Sequence, residues 1–444
     1  MKTFKIYFAF FLIGSTFNAT AQQITSYKFS FNPAKEVPGY IQVTSSQKYS
    51  PEASYGFDFG TIPFAVDRGG KNPLTSGFCT SNKPFFFSVN LPEGNYIIKI
   101  ITGDLKESSM TTIRAESRRL IFEKIKTEPG KFQTLTTTIN IRVPQIAGTN
   151  DEVKRKPREL NKLDWDNKLT FEFTDKHPCI CALEINKVND AVTMFLAGNS
   201  TVVDQDDDPW ASWGQMIPRF LKQGIAVSNQ AESGLSLGSF LSSNRLEKVL
   251  NMMKPGDYLF IEFGHNDQKE KGPDDGAFKS YTERMKIFVT EFRKKGGIPV
   301  IVSPASRRSF GDDGKITNSL GDYPAAGKKV AEELKVPFID LNAMSTTLYE
   351  NLGPDKSKNL FVIYPANTFP DQKEALNDNT HFNSYGAYEL ARCIIEGIKE
   401  NNLGLKKYFI KGIPAYDPGK PDKFEEFSLP LSPHSPVIVL PPTP

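Results

Sequence analysis

The sequence predicts two domains of different fold class: an all-β sandwich, followed by an α/β domain with a doubly wound parallel sheet. The 444 residues exceed the length of one ordinary domain. Short alternating apolar segments separated by turn residues fill the first part of the chain, as in a β-sandwich. From residue 191 onward, apolar runs alternate with amphipathic stretches, which predicts βαβ units. We place the sandwich at residues 22–190 and the α/β domain at residues 191–412.

The N-terminus has the pattern of a signal peptide that ends at residue 21. Lys2 and Lys5 precede the short apolar run 6–13, and residues 19–21 (Ala-Thr-Ala) fit a cleavage site. The apolar run is too short to span a bilayer, and no later stretch is long and apolar enough. We therefore expect an exported, soluble protein in the periplasm or outside the cell.

The first domain carries its clearest strand patterns at residues 96–101, 132–143, 169–173 and 181–185. The charged run 151–159 between them predicts a surface loop. No pairing of a nucleophile with a base is visible here, and His177, which precedes a proline, is interpreted as structural. Such a sandwich either binds sugar or serves as a packing module, and the sequence leaves both interpretations open.

The second domain alternates strands with helices. Apolar runs predict strands at residues 192–197, 225–227, 258–263, 298–302 and 336–341. Amphipathic stretches predict helices at residues 213–222, 237–253, 278–295, 324–335 and 385–399. The tail 413–444 is rich in proline, so we expect it to be either extended over the surface or disordered.

The four cysteines leave the presence of one disulfide open. Export permits disulfides. Cys179 and Cys181 lie on the same face of a strand, where Cys79 could reach either of them. Cys393 lies on the apolar side of the last predicted helix and is interpreted as a buried thiol. No histidine pair has the spacing of metal ligands, so we predict neither a metal nor a cofactor.

The overall charge is nearly balanced, with a formal net charge of +3 and 24% charged residues. No basic stripe supports a nucleic-acid partner. The sequence leaves the oligomeric state undecided.

Ser200 follows the first strand of the α/β domain, in the stretch Gly198-Asn199-Ser200-Thr201. An open α/β sheet collects ligands and catalytic groups at the carboxyl ends of its strands. Ser200 is therefore a candidate nucleophile, although this stretch alone favours a helix cap at Asn199 or Ser200.

A base for such a nucleophile is usually a histidine, and the chain has four. His177 lies in the other domain and His434 in the tail, which leaves His265 and His381. His381 stands three residues after Asp378, just before the last helix. One turn would bring the carboxylate to the imidazole Nδ1–H and leave Nε2 free to accept a proton.

Two further positions complete the pattern. Gly234 follows the second strand, where it lets the backbone turn and offers an unobstructed N–H. Asn266 follows the third strand in the stretch 264–267, with a side-chain N–H that can point into the cleft. Each position alone has a structural explanation, such as a turn or a cap. In this order behind the candidate nucleophile, they indicate a catalytic edge of the sheet.

These residues resemble the sequence blocks of the SGNH (GDSL-like) hydrolase superfamily over about residues 193–400. The four matching segments are Gly198-Asn199-Ser200, Gly234, Gly264-His265-Asn266-Asp267 and Asp378-Asn379-Thr380-His381. The residues in and around the blocks are similar to those of rhamnogalacturonan acetylesterases, in the segments 195–202, 213–215, 262–267 and 380–382. Two-domain bacterial members carry an N-terminal galactose-binding-like sandwich, which agrees with the β-rich first half.

The resemblance implies a role for each candidate residue. Ser200 would be the nucleophile, His381 the general base and then the general acid, and Asp378 the group that orients the histidine. The oxyanion hole would consist of the backbone N–H groups of Ser200 and Gly234 together with the Asn266 side chain.

The chain departs from the family pattern in two places. The first block usually has aspartate where this chain has Asn199. That aspartate is not the proton acceptor, so we expect the activity to survive. Many rhamnogalacturonan acetylesterases have arginine at the position of Leu235 and another basic residue near Gly238. An acidic pectin backbone would favour such cations, so the substrate prediction is weaker than the esterase prediction.

The stretch Asp204–Pro209 resembles the start of a calcium loop. Its sixth position is Pro209 where glycine is needed, and its twelfth is Gln215 where glutamate is needed. We therefore predict a solvated acidic loop, with Trp210 at the mouth of the cleft.

The leading hypothesis is an exported carbohydrate esterase that removes acetyl groups from pectic rhamnogalacturonan. One alternative is an SGNH esterase that acts on another acetylated polysaccharide or on a small acyl ester. The other is a glycan-binding protein on a hydrolase scaffold, and the intact serine, histidine and aspartate argue against it.

Overall fold

The computed structural model describes residues 24–370 and 372–433. The predicted signal peptide and His434 lie outside the described residues. Within the described ranges, no helix combines the length and the apolar character needed to cross a membrane.

The first domain packs two five-stranded sheets against each other and adds a small third sheet. Its strands are β1 (Ser26–Ser30), β2 (Ile41–Gln42), β3 (Tyr55–Asp58), β4 (Phe64–Asp67), β5 (Gly77–Thr80), β6 (Phe85–Asn90), β7 (Gly94–Asp104), β8 (Ser109–Ala115), β9 (Arg119–Thr127), β10 (Lys131–Ile141), β11 (Lys168–Thr174), β12 (Cys179–Ile180) and β13 (Ala182–Val188). The sheet orders are β10-β7-β13-β1-β2, β3-β6-β11-β8-β9 and β12-β5-β4.

The alternation of side chains along these strands explains the core. Ile98 and Ile100 of β7 are fully buried, whereas Lys99 between them is partly exposed. The inward faces of both large sheets meet in one aromatic cluster, in which the Phe29 and Phe87 rings pack edge to face. The predicted all-β sandwich is confirmed.

The same alternation separates the cysteines, and all four are buried free thiols. Cys79 faces the main core together with Ile180. Cys179 and Cys181 face the opposite side of the strand, where they pack on Phe78. The prediction that Cys79 could reach either thiol is therefore wrong. Cys79 lies opposite Ile180 in the neighbouring strand, and the residues on either side of Ile180 point to the other face. Cys393 is buried in the last helix, as expected.

The second domain contains a five-stranded parallel sheet of order β15-β14-β16-β17-β18. Its strands are β14 (Val192–Gly198), β15 (Ile225–Asn229), β16 (Tyr258–Glu262), β17 (Ile298–Val302) and β18 (Phe338–Ile339), followed by an antiparallel pair, β19 (Phe361–Tyr364) and β20 (Leu376–Phe382). Its helices are α1 (Trp213–Met216), α2 (Leu237–Ser242), α3 (Arg245–Met252), α4 (Thr282–Lys294), α5 (Tyr323–Leu334), α6 (Leu341–Lys356) and α7 (Ser384–Glu400). Together with the sandwich, this sheet confirms the predicted fold class.

Helices cover both faces of this sheet. Met194 and Leu196 of β14 face one apolar cluster, which includes α1 and α7. Phe195 and Ala197 face the other, which includes α2 to α5. The central strand is therefore apolar from Met194 to Ala197, as expected of a parallel strand buried on both sides.

Several predicted elements differ in extent. The predicted helix 237–253 is two helices, because Asn244 adopts a left-handed backbone conformation with φ of 61°. The predicted helix 213–222 is the short α1 followed by a 3₁₀ turn that contains Pro218. Helix α6 and the β19–β20 pair lack a strong periodic signal and were not predicted.

The acidic loop is part of a buried joint between the domains. Arg119 at the start of β9 binds Asp204 at 2.6 Å and Asp164 at 2.9 Å, and all three side chains are at most 2% exposed. The prediction of a solvated loop at 204–209 is therefore wrong for Asp204, which Arg119 of the other domain neutralises, whereas residues 205–208 are partly exposed. The backbone carbonyl of Trp210 accepts a hydrogen bond from Arg118 in the same joint.

The charged run 151–159 is a surface loop only in part. Asp151 and Glu152 are exposed. Glu159 is fully buried and pairs with the equally buried Arg245 of α3 at 2.5 Å. The second half of the run thus docks the sandwich side of the chain onto the α/β domain.

The tail 413–433 lies over α7 in an extended form with one 3₁₀ turn at Phe424–Glu426. The Tyr416 hydroxyl donates to Glu389 at 2.8 Å, and Phe427 packs on Tyr385. Farther on, the Ser432 N–H donates to Asp208 at 2.7 Å. The tail therefore joins the last helix to the loop at the domain joint.

Candidate active site

A tight turn after β14 presents Ser200. The N–H groups of Val202 and Val203 both donate to the Asn199 carbonyl at 3.0 Å. A Cβ atom at Gly198 would lie 2.5 Å from Val202 Cγ2, so only glycine lets this turn close. β14 pairs with both β15 and β16, so Ser200 follows the strand at which the sheet order reverses.

His381, which pairs with Asp378 in the C-terminal part of the domain, contacts Ser200 near the N-terminal end of the domain. His381 Nε2 lies 2.7 Å from Ser200 Oγ, and His381 Nδ1 lies 2.6 Å from Asp378 Oδ2. Asp378 Oδ1 accepts the backbone N–H groups of Thr380 at 2.8 Å and His381 at 3.0 Å. The three-residue spacing therefore forms the expected turn, now at the end of β20, and the three side chains form one continuous hydrogen-bonded chain.

The environment keeps Asp378 ionised. Burial alone would raise its pKa, but the hydrogen bond with His381 and the two backbone donors outweigh burial and lower the pKa of this carboxyl. A carboxylate on Nδ1 assigns the proton to that nitrogen and leaves the Nε2 lone pair directed at the serine.

Gly234 and Asn266 line the same cavity as Ser200 and His381, and its volume is about 670 Å³. Gly234 has a φ of +79°, a conformation in which a side chain would be strained. The Asn266 Nδ2 group donates one hydrogen bond to the Leu235 carbonyl at 3.0 Å. An amide nitrogen carries two hydrogens, so one donor of Asn266 remains for a ligand. All five predicted site residues thus meet in one place.

The backbone donors of the predicted oxyanion hole are not used elsewhere. Within the described ranges, the N–H groups of Ser200 and Gly234 have no hydrogen-bond acceptor. Neighbouring N–H groups do have acceptors: that of Thr201 donates to Asn199 Oδ1, and that of Ser233 donates to Glu232.

Asn199 stabilises the nucleophile turn without a charge. Its Oδ1 accepts the backbone N–H of Thr201 at 3.1 Å and the Thr201 hydroxyl at 3.0 Å. The same hydroxyl lies 2.8 Å from Glu262, and burial raises the pKa of this carboxyl to about 7. An aspartate at 199 would put a second carboxylate on the Thr201 hydroxyl that Glu262 contacts, and neighbouring like charges disfavour ionisation of both.

His265 is the other histidine near the site, and its environment excludes a positive charge. Burial, followed by the charges of Arg307 and His381, lowers its pKa to about 3. Its Nδ1 has no hydrogen-bond partner within the described part of the chain. His381, not His265, contacts Ser200.

Three cations line the cavity, and the sequence prediction missed them as site residues. Lys156, Arg158 and Lys269 are three of the nine lining residues, and none of the nine is acidic. Lys156 and Arg158 belong to the charged run that was expected to be a surface loop. Lys269 lies three residues after Asn266, and its Nζ binds Asn266 Oδ1 at 2.9 Å.

Cations also lie close to the second departure from the family pattern, at Leu235 and Gly238. Leu235 is buried in the apolar core of its domain. A Cβ atom at Gly234 would lie 3.2 Å from Lys156 Nζ, and one at Gly238 would lie 2.9 Å from the Arg284 guanidinium carbon. Positive charge therefore reaches this loop from other parts of the chain.

One group in the sandwich has the spacing of metal ligands, namely Asp104, Glu107 and His177. Arg68 already binds both carboxylates, at 2.7 Å and 2.8 Å. His177 Nε2 lies 3.0 Å from Asp104, and its ring packs edge to face on Phe78. These contacts agree with the structural interpretation of His177.

Comparison with known proteins identifies the class of both domains. Residues 196–387 match the GDSL-like lipase/acylhydrolase family, and residues 27–134 match the β-agarase/YXIM esterase-like, galactose-binding domain-like family. The rhamnogalacturonan acetylesterase RhgT of Bacillus subtilis (strain 168) is 41% identical over 221 residues, which cover 49% of this chain and 94% of that protein. The uncharacterized esterase YxiM of the same organism is 27% identical over 408 residues, covering 88% of this chain and 95% of that protein. The X-ray structure of the YXIM protein from Bacillus subtilis covers 85% of this chain and 99% of its own, with 25% identity and a TM-score of 0.44.

The fold and the site define a GDSL-like hydrolase domain with a parallel sheet, preceded by a galactose-binding-like domain. The chain belongs to the GDSL-like lipase/acylhydrolase family and is a carboxylic ester hydrolase. The predicted superfamily and the predicted enzyme class are confirmed.

Proposed function

We propose that this protein is an exported carbohydrate esterase that removes acetyl groups from pectic rhamnogalacturonan. The observation that carries the proposal is the hydrogen-bonded chain from Asp378 through His381 to Ser200, at the wall of a cavity lined with cations. The hydrogen-bonded series of the three side chains has the geometry of a serine acyl-transfer site. The cationic lining suits an acidic polysaccharide.

Ser200 Oγ attacks the carbonyl carbon of the acetyl ester, and its proton passes to His381 Nε2 at 2.7 Å. His381 is then positively charged between Ser200 Oγ and Asp378. The Asp378 carboxylate at 2.6 Å stabilises that charge and keeps the ring in place. No proton needs to move to Asp378.

The negative charge that forms on the acetyl oxygen requires preorganised donors. The N–H groups of Ser200 and Gly234 and the second N–H of Asn266 supply them. His381 Nε2–H next protonates the departing sugar oxygen, which leaves an acetyl group on Ser200. Water then attacks this ester with His381 as base, and acetate and the free serine are released.

Two findings support the choice of substrate. The cavity carries Lys156, Arg158 and Lys269 and no acidic side chain among its lining residues. The relative with 41% identity is a rhamnogalacturonan acetylesterase. Export rests on the first 21 residues, whose charged, apolar and small-residue segments follow the order of a signal peptide.

The test is acetate release from acetylated rhamnogalacturonan compared with acetylated xylan, with p-nitrophenyl acetate as a neutral third substrate. We expect the pectic substrate to have the highest kcat/KM. Ser200→Ala should lower kcat on every substrate by about 10⁴–10⁶-fold, while Ser242→Ala, an exposed serine on α2, should not.

Equal or higher kcat/KM on acetylated xylan would overturn the proposed substrate but not the mechanism. Wild-type rates in Ser200→Ala would overturn the mechanism. Retention of unprocessed protein in the cytoplasm of the native host would overturn export.

A further inference from the structure

One carbonyl oxygen at the rim of the cavity receives two cationic donors. Lys156 Nζ donates to the Ser233 carbonyl at 2.6 Å, and the Arg158 guanidinium donates to the same oxygen. Both cations come from the segment 154–162 that follows the first ten strands of the sandwich. Ser233 lies in the loop after β15, so the two domains meet at this oxygen.

The segment that carries the two cations is firmly held. The Lys156 N–H donates to Glu159 at 2.8 Å, and Glu159 is the buried partner of Arg245. The Arg245 guanidinium in turn donates to the Gln230 carbonyl at 3.0 Å, in the same loop as Ser233. The segment and the loop are therefore fixed to each other at two separate points.

The peptide that receives the two cations is the one that carries the Gly234 N–H. In a planar trans peptide, the Ser233 carbonyl and the Gly234 N–H point from opposite edges of the same plane. Holding the oxygen therefore sets the direction of the N–H. Glycine alone leaves this peptide easy to rotate, because its φ of +79° meets no Cβ restraint.

We propose that Lys156 and Arg158 are positioning residues for the oxyanion hole, through the Ser233–Gly234 peptide. They hold the peptide in the one orientation in which the Gly234 N–H serves as a donor. Two positive groups on the carbonyl also polarise the amide and strengthen its N–H as a donor. The inference rests on the proposed role of Gly234, and it makes the sandwich side of the chain part of the catalytic apparatus.

A buried carboxylate, Glu232, balances the positive charges around the loop. Burial, followed by the nearby Arg158, lowers the pKa of Lys156. Glu232 is 1% exposed and binds Arg158 at 2.6 Å and Lys162 at 3.0 Å. Glu232 therefore keeps Lys162 as a partner when Arg158 is removed, so loss of Arg158 does not leave a buried carboxylate unpaired.

The competing explanation is that the two cations only bind a substrate carboxylate and do not act on the peptide, and the choice of substrate separates it from the clamp. A peptide clamp acts on the transition state of every ester, including one without charge. A carboxylate subsite acts only on the acidic polysaccharide and mainly through KM.

The experiment measures kcat and KM of the full-length protein on p-nitrophenyl acetate and on acetylated rhamnogalacturonan. The variants are Lys156→Met, Arg158→Met and the double variant. Lys154→Met is the matched control, because Lys154 is an exposed lysine of the same segment that contacts Ser242 instead of Ser233. Lys156→Arg keeps a cationic donor and tests rescue.

We expect the double variant to lower kcat on p-nitrophenyl acetate by about 10–100-fold with KM nearly unchanged, below the roughly 10²–10³-fold cost of losing a whole oxyanion donor. Arg158→Met should have the smaller single effect, because its side chain is 53% exposed. Lys156→Arg should recover most of the rate, which a general folding defect would not allow. The rate of inactivation by an aryl phosphonate should fall in parallel with kcat, because the phosphoryl oxygen occupies the same hole.

An unchanged kcat on p-nitrophenyl acetate in the double variant would overturn the clamp. A rise in KM confined to the acidic polysaccharide would assign the cations to substrate binding instead. A wild-type enzyme that hydrolyses p-nitrophenyl acetate but not acetylated rhamnogalacturonan would refute the proposed substrate and leave the clamp intact.

Discussion

Two groups of paired ionisable side chains, one at the cavity and one at the domain joint, differ in how deeply they are buried. Asp378 and His381 at the cavity are 32% and 30% exposed. Arg119, Asp164 and Asp204 at the domain joint are at most 2% exposed. The contact distances are similar, so distance does not distinguish the two groups.

The difference lies in what each group can do with a proton. The imidazole of His381 is 30% exposed and lines the cavity, so it can pass a proton between Ser200 and a bound ester. At the joint, burial raises the pKa of the Asp164 carboxyl, but Arg142, Arg119 and Lys162 outweigh burial and lower it. An arginine paired in this way stays charged, so the joint holds two domains together and takes no part in proton transfer.

A third carboxylate extends the comparison. Glu262 is fully buried beneath the nucleophile turn, accepts a hydrogen bond from the Trp213 indole and lies 2.8 Å from the Thr201 hydroxyl. None of the groups that shift its pKa is a cation, and burial raises that pKa to about 7. At Asp164 the neighbouring cations outweigh burial and favour the charged form, whereas no cation offsets the burial of Glu262, so its neutral form is favoured.

The largest effect should follow from breaking the catalytic pair. Asp378→Asn should lower kcat by about 10⁴-fold, because the amide no longer holds the productive tautomer of His381. Thermal stability should change little, since the pair is partly exposed. Kinetics on p-nitrophenyl acetate measure the loss, with the exposed Asp355→Asn as control. A loss smaller than about tenfold would remove Asp378 from the mechanism.

Breaking the joint should affect stability and leave catalysis intact. Arg119→Met leaves Asp204 buried without its cation, and we expect the free energy of unfolding to fall by about 3–5 kcal/mol. Urea unfolding measures this change, and kcat per folded molecule should stay at the wild-type value. Arg219→Met removes a more exposed pair with Glu123 across the same joint and should cost about 0–1 kcal/mol. Equal losses in the two variants would contradict the role of burial.

Loss of an amide donor at the cavity should lower kcat more than loss of an amide donor elsewhere. Asn266→Ala should lower kcat by about 10²–10³-fold, because it removes one oxyanion donor from a preorganised set. Asn251→Ala is the control, since its amide donates to the Ala147 carbonyl at 2.9 Å and neither residue lines the cavity. If both variants keep the wild-type kcat, Asn266 only supports the Leu235 loop.

The smallest effect should be a change in the pH dependence of stability. The folded pKa of Glu262 lies above its unfolded value, so its stabilising contribution is complete below about pH 4.3 and is lost as the pH rises through about 7. Glu262→Gln has no such proton to lose. The thermal midpoint of the wild type should therefore fall relative to the variant between pH 5 and pH 9, as measured by scanning calorimetry. Parallel profiles would show that Glu262 is ionised throughout.

The success of the sequence prediction depended on the range of the interactions. The Asp378–His381 turn spans three residues, and its geometry follows from local backbone rules. Ser200, Gly234 and Asn266 lie at the ends of successive strands, and the topology of a parallel sheet brings such ends together. The cysteine prediction erred because the face that Cys79 shares depends on the pairing of β5 with β12, in which Cys79 lies opposite Ile180.

The sequence by itself determined the two fold classes, the order of the site residues and the local pairing of Asp378 with His381, because periodicity and short spacings control all three. Only the tertiary structure decided which charges are buried and which face the cavity. Asp204 and Glu159 are acidic residues that the sequence alone would place at the surface. They are buried, because Arg119 and Arg245 pair with them across a domain boundary. Lys156 and Arg158 reach the Ser233 carbonyl in the same way. Contacts between segments some 75 residues or more apart depend on how two folded surfaces dock, and no local pattern encodes that docking.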